Sequence, residues 1–166
     1  SELTGQTSSL GNASGMASGT NGLVSITYRG EENIWGNIFK WQDGINVYGY
    51  SQNLAYISNY GFADNIGTAP YTDVGFTLAK TNGYVSAFGY NEEFDWLFFP
   101  SEATGGSELP VGDYFYNNYT YNGFMTALLG GSWSYSAAGG GFCWRATNAS
   151  SYRDRIIGGR LVYIPQ

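Results

Sequence analysis

Apolar and polar residues alternate along this chain in short runs, most of them too short for helices. Val24 to Tyr28 (VSITY) alternates and is β-prone, which predicts a strand. Glu31 to Trp41 (EENIWGNIFKW) reads differently: Ile34, Trp35, Ile38, Phe39 and Trp41 are spaced to build one face of a helix. Glu31 and Glu32 favour its first turn through the macrodipole, and Gly44 can close it in a left-handed conformation. Ile45 to Tyr50 and Leu54 to Ser58 predict two further strands, and Tyr71 to Ala79 holds another. Tyr84 to Tyr90 and Asp95 to Phe99 predict a buried pair around the turn Asn91-Glu92-Glu93, with Pro100 ending the second run. Ser101 to Pro110 is a polar loop. Asp113 to Tyr121 alternates loosely, is packed with Tyr and suits a strand or a binding loop. Phe124 to Leu129, Phe142 to Trp144 and Arg160 to Ile164 complete the predicted strands. There is no βαβ alternation, so the pattern gives an antiparallel α+β or mostly-β domain with short strands, few helices and much loop.

The 166 residues suffice for one domain with a real core. Residues 1–22 are rich in Gly, Ser, Thr and Asn and read as a linker or mobile arm, with docking of Leu10 and Met16 on a partner subunit as the alternative. Residues 23–166 form the expected domain. An aromatic content of 18% argues against disorder, and with only 12% charged residues it suits a rigid, loop-rich extracellular or virion module. No apolar run approaches the about 18 residues of a membrane span, and no membrane insertion is expected. No signal peptide is visible, and a first residue other than Met suggests an excised domain or a trimmed product. Cys143 is the single Cys, so no intrachain disulfide can form. The chain has no His, which removes Ser-His-Asp and Cys-His catalysis and the common zinc sites. Asp43, Asp64 and Asp73 lack the spacing of a calcium loop. No metal or other cofactor is expected.

Charge is uneven. The net value is −6, yet Tyr114 to Gln166 carries Asp154 alone against Arg145, Arg153, Arg155 and Arg160. This mildly positive end suits anionic surface glycans and falls short of a nucleic-acid footprint. The same end lacks other residues too: Leu109 to Pro165 contains no Lys, Glu or Gln, where simple proportion predicts roughly six. Two readings account for the gap. One is a packed, neutral β region, since these residues are poor strand formers. The other is a segment diversified by a process that cannot reach them. Asn, Ser, Tyr, Thr, Ala, Asp, Ile, Arg and Cys are all encoded by triplets ending in C, and all are reachable from one Asn codon by changing its two adenines.

The closing GGRLVY, the GG-S-W and GFCW elements and the upstream YRGEENIWGNIFKWQDGIN resemble variable proteins of diversity-generating retroelements, of the kind found in phages of gut bacteria. The resemblance covers about residues 24–165. It implies a C-type-lectin-like fold with a variable region at about 114–157, displayed for non-enzymatic binding of a bacterial surface protein or glycan. It further implies a place on a virion or cell surface, with attachment to a tail fibre or assembly into a homo-oligomer such as a trimer. Within that frame Gly130, Gly131, Trp133, Gly140, Phe142, Trp144, Ser150, Gly158, Gly159, Arg160 and Leu161 are expected as fixed scaffold, with Arg160 satisfying buried carbonyls. Ser132, Ser134, Tyr135, Ala138, Arg145, Thr147, Asn148, Tyr152, Asp154 and Ile156 are expected as changeable, outward-facing positions. Cys143 joins the set, being one adenine change from Tyr. Asn117 and Tyr119 are additions on the upstream loop. Met125 fits worse, because its codon does not end in C. Tyr135, Tyr152 and Arg145 are the expected anchors, since hot spots favour Tyr, Trp and Arg.

Two alternatives remain. One is a fixed-specificity bacterial adhesin or glycan-binding module on the same scaffold. The other is a carbohydrate-active enzyme using Glu92, Glu93 or Asp95, although adjacent Glu residues on a turn point apart rather than flanking a cleft. The calcium-dependent sugar motifs of animal C-type lectins are not present. The Cys pair of formylglycine-generating enzymes is missing as well.

Overall fold

The structure is a computed structural model that describes residues 5–19, 24–50 and 52–159. Its regular elements are almost all short β-strands joined by long loops: β1 (Gly15–Ser18), β2 (Val24–Tyr28), β3 (Glu31–Glu32), β4 (Phe39–Tyr48), β5 (Leu54–Ile57), β6 (Thr72–Thr77), β7 (Gly83–Tyr84), β8 (Ala87–Phe88), β9 (Pro100–Glu102), β10 (Tyr114–Asn117), β11 (Phe124–Leu129), β12 (Trp144–Ala146) and β13 (Ile157–Gly158). The helical elements among the described residues are single 3₁₀ turns such as Glu92–Phe94. The α+β expectation is therefore corrected to mostly β. The predicted strand Arg160 to Ile164 lies outside the described residues.

The main sheet runs β6-β5-β4-β11-β12-β10-β7, with β13 added along β4. Neighbours are antiparallel except β10 with β12 and β13 with β4. A separate sheet β1-β2-β3 lies at the N-terminal end. Met16 pairs with Ile26 in it, so part of the stretch expected as a mobile arm is a strand edge. The turn before β1 is tied to β3, where the Glu32 carboxylate accepts from the Thr7 amide and hydroxyl.

The helix expected over Glu31 to Trp41 does not form. Lys40 and Trp41 pair with Leu129 and Leu128 of β11, and Phe39 pairs with Ile157 of β13. Phe39 is fully buried and Trp41 packs beside it, so the period of two overrides the 3.6-residue spacing. Burying Phe39 alone is worth roughly 2 kcal/mol, more than helix propensity over a few residues supplies. Pro100 likewise does not end the strand before it; it begins β9, which pairs with β8.

One face of the main sheet carries Ile45, Val47, Ala55, Ile57, Phe115, Met125, Ala127, Trp144 and Ala146. Leu97 and Phe99, from the segment between β8 and β9, close over it. Phe99 stacks edge-on against Trp144 at 4.6 Å between centroids, and the Trp144 indole donates to the Phe98 carbonyl at 2.6 Å. The opposite face holds a smaller cluster of Phe39, Leu128 and Cys143, covered by Tyr116, Tyr135 and Ile157. That second face positions the candidate site.

Candidate functional site

β12 is short, and its alternation decides what faces where. Trp144 and Ala146 point into the main core, so Arg145 points to the opposite face between Tyr116 of β10 and Leu128 of β11. The Arg145 guanidinium donates to the Thr147 hydroxyl at 2.7 Å and to the Tyr135 hydroxyl at 3.3 Å. It lies 5.7 Å from the Phe39 ring centroid and 6.0 Å from that of Tyr152. Such contacts hold the planar cation in place at a cost in freedom that an unsupported Arg would meet on binding. The Thr147 hydroxyl donates to the Asn148 side-chain oxygen at 2.5 Å, and Tyr152 donates to the Asp154 carboxylate at 3.1 Å. The Ile156 amide and the Tyr152 hydroxyl hold the exposed Asp154 carboxyl below its ordinary range.

Six of the expected positions thus join in one patch: Tyr135, Arg145, Thr147, Asn148, Tyr152 and Asp154. Tyr152 and Asp154 are exposed, and the other four are half-buried. Ile156 is half-buried at its edge, and its carbonyl accepts from Phe39. Ser134 is exposed and Ala138 half-buried on the loop that carries Tyr135. Tyr119 is exposed on the turn after β10.

Four expectations of outward display are corrected. Ser132 is buried, with its hydroxyl 3.0 Å from that of Ser134. Met125 is buried in the main core. Asn117 is buried in an amide network, where its side chain donates to Asn53 and to the Ala79 carbonyl, each at 2.7 Å. Cys143 is fully buried in the smaller cluster. Burial, and after it the Asp113 carboxylate, push the Cys143 thiol up to about 12. A thiol held protonated in this way is a small hydrophobe, not a nucleophile. Native protein is expected to resist Ellman's reagent at pH 8 and to react with one equivalent in denaturant; prompt reaction of the folded protein would refute the buried placement.

Among expected scaffold positions, Trp144, Gly130, Gly131 and Gly140 are buried, whereas Trp133 and Phe142 are exposed. Gly140 sits against the Asp113 carboxylate, which accepts from the Phe142 amide at 2.6 Å. Burial raises the Asp113 carboxyl, and the Phe142 amide opposes that rise. Arg160 and Leu161 lie outside the described residues.

Sequence reasoning missed the aromatic row beneath the patch. Tyr84, Tyr114, Tyr116, Tyr135 and Phe39 follow one another with centroid separations of 5.1, 4.5, 5.0 and 5.0 Å. The alternation of DYFYNN carried the signal, because Tyr114 and Tyr116 share the face opposite Phe115. Glu92 and Glu93 are exposed on a 3₁₀ turn remote in sequence from the patch.

Compared with known proteins, the chain matches no family model, no curated protein and no solved structure.

Proposed function

We propose that this chain is a non-enzymatic ligand-binding protein that presents diversified side chains on a rigid, C-type-lectin-like scaffold, and that it serves as a phage receptor-binding module for a bacterial surface. The observation that carries the reading is the patch around Arg145. Six positions chosen because an edited Asn codon can encode them converge on one sheet face, while the fixed Trp144 between them points the other way. A pre-ordered Tyr and Arg surface loses little entropy on binding. Backbone hydrogen bonds hold its loops, so the exposed Tyr152 and Asp154 can be exchanged without loss of the fold.

Sequencing the DNA on both sides of the gene tests this. The expected result is a near-copy of the 3′ segment that differs at adenines in the codons for Tyr135, Arg145, Thr147, Tyr152 and Asp154. Flanks without such a copy would overturn diversification and leave a fixed-specificity adhesin. On the protein, Tyr152→Ala and Asp154→Ala are expected to change stability by less than about 0.5 kcal/mol, as exposed substitutions do. Tyr152→Ala together with Arg145→Ala should reduce adsorption to the host cell at least about tenfold, the scale of an anchor residue. Unchanged adsorption would remove the patch from the interface.

A further inference from the structure

A second recess lies away from the Arg145 patch, where the N-terminal sheet meets the loop after β11. Its volume is about 460 Å³, and Ser25, Asn33, Trp35, Asn37, Trp133 and Ser136 are among the residues that line it. Its two sides are sewn together by backbone. The Gly36 amide donates to the Gly130 carbonyl at 2.7 Å, and the Trp133 amide donates to the Asn37 carbonyl at 3.0 Å. Gly130 and Gly131 make this approach with φ of 101° and 69°, where a side chain would be strained. The recess is therefore preformed.

Three features of the lining point to one ligand class. Trp35 and Trp133 stay 42% and 41% exposed, although indoles are costly to leave in water. Among the described residues the polar groups of the lining are hydroxyls and carboxamides, and none of its side chains is charged. Ser25 is 1% exposed, and among the described residues its hydroxyl has no hydrogen-bond partner. A buried hydroxyl without a partner is a standing cost that a ligand's own hydroxyl can relieve.

We propose that this recess binds a neutral saccharide, with Trp35 and Trp133 packing on pyranose C–H faces and Ser25 and the carboxamides meeting its hydroxyls. An indole face is electron-rich and favours the polarised C–H face of a sugar over an anionic group. Ser132 also lines the recess, and among the described lining residues it alone belongs to the changeable set. The site is therefore fixed, and it holds whether or not the Arg145 patch is diversified.

The test is titration of the whole protein with chitotriose, maltotriose and laminaritriose, following Trp emission and ligand-detected NMR, with 3′-sialyllactose as the anionic comparison. At least one neutral trisaccharide is expected to saturate below roughly 10 mM, a range typical of weak sites. Trp35→Ala and Ser25→Ala should weaken it about tenfold and about fivefold, since the first removes a stacking face and the second one hydrogen bond. Arg145→Ala should leave it unchanged. Ser25→Ala removes an unpartnered hydroxyl and keeps the fold, so its effect reads binding alone. No saturation by any neutral trisaccharide, equal affinity in Trp35→Ala, or loss on Arg145→Ala would overturn the proposal.

Discussion

Gly44→Ala is expected to destabilise the protein by about 3 kcal/mol, from the cost of a left-handed alanine and of overpacking against backbone. Gly44 lies within β4 with φ of 80°, and a Cβ there would overlap the Ser58 carbonyl oxygen. The carbonyl cannot swing away, because Ser58 donates its own amide to the Gly44 carbonyl at 2.9 Å. The strand needs this residue for a bulge. Between the pairs Thr126–Asn46 and Leu128–Trp41, β4 advances five residues while β11 advances two. The bulge lets one strand serve two faces, with Phe39 in the smaller cluster and Ile45 and Val47 in the main core. Thermal unfolding should show a fall in Tm of roughly 10 °C for a domain of this size. Gly141→Ala is the control: no atom lies near its Cβ and its φ is ordinary, so stability should move by less than about 0.5 kcal/mol. Equal midpoints for the two variants would mean that β4 does not bulge at Gly44.

Asn53→Ala should cost about 3 kcal/mol, the scale of leaving buried carbonyls unpaired. Asn53 is buried with φ of 52°, a conformation Asn tolerates better than most residues. Its carboxamide donates to the Leu78 carbonyl at 2.5 Å and the Ala79 carbonyl at 3.1 Å, and accepts from Asn117 at 2.7 Å. Asn117 adds its own bond to Ala79, and its amide donates to the Asn82 side chain at 2.5 Å. These bonds tie the chain after β6 to the end of β10. Because both amides share the Ala79 carbonyl, Asn117→Ala and the double variant should be non-additive by roughly 1–2 kcal/mol. Chemical denaturation of the four proteins measures this. A loss below about 1 kcal/mol for Asn53→Ala, or strict additivity, would break the network as described. The same network explains why Asn117 is a poor position for diversification: each replacement would leave several buried groups without partners.

Much of the patch was legible from local composition. Tyr135, Arg145, Tyr152 and Asp154 stand out in a segment depleted of Lys, Glu and Gln, whereas the strand expected at Phe142 to Trp144 lies instead at Trp144–Ala146, and this shift sets the side Arg145 takes. Ser132 and Cys143 were not legible. Their codon logic matches that of Ser134 and Arg145, and burial depends on which loop folds over them. The stretch from Ile34 to Trp41 shows the same limit. Its spacing satisfies a helix, and the competing partner is β11, more than eighty residues away in the chain.

By itself, then, the sequence determined a β-rich domain without His or paired Cys, strands at VSITY, LAYI and FMTALL, and a Tyr- and Arg-bearing segment without Lys, Glu or Gln. These follow from short-range alternation and residue chemistry, which act within a few positions. Only the tertiary structure decided the bulged course of β4, the burial of Asn117, Met125, Ser132 and Cys143, the aromatic row under Arg145, and the recess between Trp35 and Trp133. Each of these arises where segments distant in sequence compete for the same buried surface, and the largest gain in burial and paired backbone groups wins over local propensity.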